Sequence, residues 1–149
     1  MNLPLDKACR YIDTGKHGKY RYVLLQQFLF WHAFGFTFTN DWITIDEMGI
    51  ELASGYSCDG ATWAPDLRFV MPAVFIHDAM YQYAEEIATS THKTVKAVLE
   101  IADKVFLAAM LSNIKAKSVI EYCGKRALAL LYYHAVDLLG YRYHEGVKV

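Results

Sequence analysis

The sequence predicts an α+β fold: a small N-terminal antiparallel sheet of hairpins followed by three helices, the first two antiparallel. Three observations carry this expectation. Short alternating runs rich in Thr, Tyr, Phe and Ile fill the chain up to about residue 53. From Pro72 onward the apolar residues recur at the three-four spacing of a helix. Turn-forming residues such as Asn40-Asp41 and Gly49 fall between the apolar runs rather than inside them.

Taken in order, Lys19 to Trp31 fits either a long strand or a helix, and its tyrosines at 20 and 22 favour a strand. Phe36-Thr37-Phe38-Thr39 and Trp42-Ile43-Thr44-Ile45-Asp46 alternate on either side of Asn40-Asp41, which predicts a hairpin. A further strand is expected near Ile50 to Ala53, then a loop from Ser54 to Met71. Pro72 suits a first helical turn and opens a helix expected to reach Glu86. Thr89-Ser90-Thr91 offers caps for a second helix to about Ser112, with apolar residues at 95, 98, 99, 102, 106, 109 and 110. Lys117 to Leu139 reads as the third helix, ended by Gly140. Its inward stripe is expected to hold Ala127, Leu131, His134 and Leu138.

At 149 residues the chain is expected to form a single domain, 1–149, and its 54% hydrophobic and 15% aromatic content is that of a globular protein. The net charge of −1, with both signs interspersed, supplies no basic field for a phosphate backbone, so nucleic acid is not an expected partner. Cys9, Cys58 and Cys123 lack metal-binding spacing and read as reduced thiols of a cytoplasmic protein. The longest apolar run, Val23 to Phe38, starts late for a signal peptide and is too short and too polar for a transmembrane segment.

The chemistry concentrates in His77-Asp78-x-x-Tyr81 and Asp103, ionisable groups set within apolar segments. On a helix, His77 and Tyr81 stand four apart and Asp78 and Tyr81 three apart, so all three can serve one site. Asp103 shares a stripe with Leu99, Phe106, Leu107 and Met110. A carboxylate there needs a partner or its pKa rises. If the two helices pack antiparallel, Asp103 can hold one ring nitrogen of His77 and leave the other to take a proton from water. Asp78 is a hard-cation ligand in want of further oxygens, which the loop from Gly55 to Pro65 can supply through Asp59, Thr62 and the backbone at Gly55 and Gly60. The competing reading makes His77 and Asp103 a buried structural hydrogen bond. His32 and Asp137, with His77-Asp78, also offer the residue types of a His-Asp metal phosphohydrolase.

The pattern Gly55-x-x-x-Asp59-x-Ala61-Thr62-x-x-Pro65, His77-Asp78-x-x-Tyr81, Ala102-Asp103-x-x-Phe106 and Leu138-Leu139-Gly140 resembles a family of small phage and prophage proteins of unknown function. That resemblance implies a phage origin, and with it the cytoplasm of an infected bacterial host or the virion. The stretch from Gly55 to Phe106 is similar to the phospholipase A-two superfamily, including its compact bacterial and parvoviral members. This second resemblance implies His77 as the general base, Asp103 as its orienting partner, Tyr81 as a hydrogen-bonding support and Asp78 as a ligand to calcium or another divalent cation. The expected function is a metal-assisted hydrolase of an ester or amide, such as a small-molecule or envelope substrate. The alternative is a non-catalytic phage accessory protein, a virion component or a binder of a host defence protein or its signal, whose aromatic surplus suits an interface.

Overall fold

The computed structural model describes residues 9–15, 21–60 and 65–146, with backbone alone for 141–146. Seven short strands precede four helices among these residues. They are β1 (Tyr11–Asp13), β2 (Tyr22–Leu24), β3 (Phe28–Trp31), β4 (Phe38–Thr39), β5 (Ile43–Ile45), β6 (Gly49–Leu52), β7 (Ser57–Cys58), α1 (Met71–Gln82), α2 (Ala84–Thr91), α3 (Val95–Ser112) and α4 (Val119–Gly146). The expected α+β class and the order of sheet before helices are both present.

The strands form two antiparallel sheets rather than one, in the orders β1-β2-β7 and β3-β6-β5-β4. The run expected as a single strand therefore serves both. Tyr22, Leu24, Phe28 and Phe30 all point inward at period two, but position 26 of that alternation is an exposed glutamine. Burying its amide would require dedicated partners, and the chain bends there instead. The expected hairpin pairs Phe38 with Ile45 and Thr39 with Thr44. Its turn is fixed by Asn40, whose Oδ1 accepts from the backbone N–H groups of Trp42 and Ile43, both at 2.9 Å.

α1 is the centre of the molecule. Met71 through His77, then Ala79 and Met80, are all buried, so this helix is apolar on nearly every side. Expected to run to Glu86, it breaks at Tyr83 (φ −105°, ψ 17°), and α2 sets off in a new direction. The break lets Ala84, Ile87 and Ala88 turn onto the core, which a straight continuation of α1 would not allow. The cap of α3 also differs from expectation. Thr94 accepts from the Ala97 N–H at 3.1 Å, while Thr89 and Thr91 bond back to the carbonyls of Glu85 and Ile87 inside α2.

α1 and α3 run antiparallel, as three pairings show. Asn113 Nδ2 donates to the Phe69 carbonyl at 2.8 Å, the Phe106 ring lies 4.9 Å from that of His77, and Asp103 meets Tyr81. The partner number falls as the α1 number rises. α4 lies on this pair with Ala129 and Tyr132 buried and Tyr133 and Val136 half-buried against the core. Ala127, Leu131, His134 and Leu138 are exposed, so the stripe expected to face inward faces out. Gly140 does not end the helix, which continues to Gly146.

Candidate functional site

The site is assembled by α1, α3 and the short strand β7. The one-turn spacing of His77 and Tyr81 stacks their rings at 4.1 Å on the side of α1 that meets α3. Asp103 arrives between them on the buried stripe of α3. One oxygen, Asp103 Oδ1, takes two contacts: His77 Nε2 at 2.9 Å and the Tyr81 hydroxyl at 2.7 Å. With Nε2 donating to this carboxylate, the basic lone pair of a neutral ring belongs to Nδ1.

Nδ1 faces Asp78, whose Oδ1 lies 3.8 Å away, beyond hydrogen-bonding distance. The imidazole thus has an acid on each side, one bonded and one held back. Burial pulls the His77 pKa down, but Asp103 and then Asp78 outweigh it, so the ring holds its proton above the usual histidine range. Burial raises Asp78 to about 6 against the lowering influence of His77, and Asp59 raises it further by charge and by a carboxyl-to-carboxyl contact. Tyr81 is pushed up by burial and by Asp103.

β7 explains why Asp59 is there. Val23 of β2 pairs with Ser57 and Tyr22 with Cys58, and the next residue, Asp59, comes close enough to Asp78 of α1 to raise its pKa. Gly60 follows with φ +91°, a left-handed conformation that glycine adopts freely. A Cβ there would also collide with the Asp66 carboxylate and the Tyr22 ring, which are themselves joined by a 2.7 Å hydrogen bond. Gly55 lies at the preceding turn, its N–H bonded to Leu24 and its carbonyl accepting from the Ser57 hydroxyl at 3.2 Å. Thr62 falls outside the described residues.

For a cation, the donor types present are suitable. Asp78 Oδ2 is buried without a hydrogen-bond partner among the described residues, and the exposed carboxylate of Asp59 stands beside Asp78. Burial disfavours the charge on Asp78, and a cation bound there would offset that cost. Among the described residues, no three His, Cys, Asp or Glu side chains cluster as a complete metal site, so backbone oxygens or water would have to supply the remaining ligands. His32 is half-buried against the rings of Phe30 and Phe34 on β3 and the segment after it, and Asp137 is exposed on α4, where its charge adds to the rise of the Tyr81 pKa.

Two residues that the sequence offers only as parts of a pattern also border the site. Phe106 forms a wall of the His77 ring, detectable only as an aromatic three residues after Asp103. Gly140 brings the α4 backbone directly over the Tyr81 hydroxyl, with no room for a Cβ. The side chain of His77 keeps 11% of its surface exposed and that of Asp78 25%, so the site is narrow but not sealed. No helix among the described residues is long and apolar enough to cross a membrane. The chain matches no protein-family model, no curated protein and no solved structure.

Proposed function

We propose that this protein is a hydrolase in which His77 activates water for attack on an ester or amide carbonyl. The supporting observation is the two-donor grip on Asp103 Oδ1: it holds the plane of His77 and directs Nδ1, the basic nitrogen once the ring is neutral, toward Asp78. In this reading a water at Nδ1 gives up its proton to the ring as its oxygen bonds to the carbonyl carbon. The tetrahedral intermediate collapses when His77 returns that proton to the leaving oxygen or nitrogen. Asp103 stabilises the imidazolium formed between these steps, and Tyr81 keeps Asp103 in place.

Asp78 and Asp59 would hold a divalent cation such as calcium, which when bound supplies positive charge to the developing oxyanion. The substrate class is a phospholipid or another envelope ester or amide in a phage-infected bacterium. A second reading, an accessory protein with a purely structural dyad, draws on the slight exposure of His77 between the rings of Tyr81 and Phe106.

The test compares wild type with His77→Ala and Asp78→Asn for hydrolysis of phosphatidylcholine and phosphatidylglycerol micelles and of acyl esters and amides, with calcium or with chelator. The proposal expects turnover in wild type, loss in His77→Ala with the fold retained, and loss of calcium binding in Asp78→Asn. Absence of both turnover and calcium binding in wild type, with a marked drop in melting temperature for His77→Ala, would establish the structural dyad instead.

A further inference from the structure

The outward face of α4 carries a pattern that its own chain does not use. Ile120, Gly124, Ala127, Leu131, His134 and Leu138 follow one another at steps of four, three, four, three and four, the 3.5-residue repeat of a helix seam. All six are exposed, Ile120 by 86%, Leu131 by 65% and Leu138 by 69%. Leu128 and Leu130 widen the stripe on either side and are exposed too. From Ala127 to Val136 the helix has no Asp, Glu, Lys or Arg. A surface helix normally turns its charged residues to water, and here the opposite face packs on the core while the apolar seam faces out.

Gly124 gives an independent indication. It lies inside a helix, where glycine costs about 1 kcal/mol relative to alanine. A Cβ at this position would meet nothing within 4 Å among the described residues. The described part of one copy therefore gives no reason for glycine there, whereas a side chain entering from outside would.

We infer that α4 pairs with α4 of a second copy, antiparallel, about a two-fold axis passing level with Ala129. The sequence complements itself in that arrangement alone. Ile120 faces Leu138 of the second copy, Gly124 faces His134 and Ala127 faces Leu131, so each small residue of the N-terminal half receives a larger one from the C-terminal half. Parallel pairing would set Gly124 against Gly124 and leave a void. Leu128 and Leu130 meet their own counterparts beside the axis, and Glu121 and Asp137 lie opposite Ala135 and Cys123, so no like charges oppose. From Ile120 to Leu138 the seam is about 27 Å long, and its exposed apolar surface, on the order of several hundred Å2, approaches the roughly 800 Å2 per partner of a stable interface. A lipid surface would not need the 3.5-residue step or the small-to-large alternation, and the C-terminal half of the seam is edged by Asp137 rather than by cations.

The test is sedimentation velocity of the full chain up to about 100 µM, with cross-linking and vesicle binding. A dimer is expected for wild type. Leu131→Asp should weaken it by about tenfold or more, and Gly124→Leu, which has room in its own chain, should do the same while leaving the melting curve of the monomer intact or raised. In a Cys123→Ser background, Leu130→Cys should form an intermolecular disulfide on oxidation and Ile120→Cys should not. A wild-type monomer throughout this range overturns the inference, whether or not it binds phosphatidylcholine and phosphatidylglycerol vesicles. A dimer unaffected by Leu131→Asp and Gly124→Leu, or cross-linking through Ile120→Cys, overturns it equally.

Discussion

Gly140 of α4 lies against the Tyr81 hydroxyl so closely that a methyl group on its Cα would overlap the phenol oxygen. That hydroxyl is also bonded to Asp103, so it has little freedom to yield. The helix that packs across α1 and α3 thus also sets a wall of the candidate site.

Gly140→Ala should therefore cost stability, by about 1–3 kcal/mol for overpacking, despite the better helix propensity of alanine. Tyr81→Phe removes the oxygen in the way, so the double variant should recover part of this loss. A double-mutant cycle in urea that gave simple additivity would show that the two positions do not interact.

Asp103→Ala leaves His77 Nε2–H and the Tyr81 hydroxyl without their common acceptor in a buried place, and should cost about 2–5 kcal/mol. Asp103→Asn keeps an oxygen that can take both and should cost much less. Tyr81→Phe alone removes one of the two bonds and should cost about 1 kcal/mol. Denaturant midpoints rank the three, and equal losses for the alanine and asparagine variants would contradict the shared-acceptor geometry.

Asp78 keeps its proton to about pH 6 in the fold because burial disfavours its charge, whereas an unfolded aspartate loses it near pH 4. The native state thus binds more protons between these values, and this group's contribution falls as pH rises from about 4 to 6. His77, raised above the usual range by Asp103 and Asp78 against its burial, stabilises fully below the unfolded histidine value and loses that contribution as pH climbs through its folded one. Asp13, lowered to about 2 by its hydrogen bond to Arg21, acts in the opposite sense but only as pH drops below about 4. Unfolding midpoints should consequently decline from about pH 4 toward neutrality. In Asp78→Asn the decline between about pH 4 and 6 should shrink; an identical pH profile would place the titrating group elsewhere.

Thr94→Ala should lower stability by about 1 kcal/mol by uncapping α3, while Thr89→Ala and Ser90→Ala should be close to neutral. Thermal melts of the three variants distinguish the observed cap from the one suggested by the sequence.

What the sequence revealed follows from which forces act locally. The buried stripe of α3 was legible because Val98, Leu99, Ala102, Phe106, Ala109 and Met110 recur on one face, and that face is buried. His77, Tyr81 and Asp103 were legible as a group because helical spacing and an apolar setting leave a carboxylate few places to go. The break at Tyr83 was not, because α1 and α2 together read as one continuous helix and only the core decides where the chain turns. β1 and β7 are too short to show a period, and they exist through pairing with β2. The apolar stripe of α4 is legible in the sequence but the side it faces is not, since periodicity marks a face without saying what covers it.

The split of one apolar run between two sheets separates two kinds of tolerance to change. Asp59 inherits its position from the pairing of β7 with β2, while the hairpin turning at Asn40-Asp41 belongs wholly to the other sheet. Foreign loops grafted at that hairpin tip should leave the acid pair where it is, whereas a single residue inserted among Leu25, Gln26 and Gln27 would disturb the coupling between the scaffold and its chemistry.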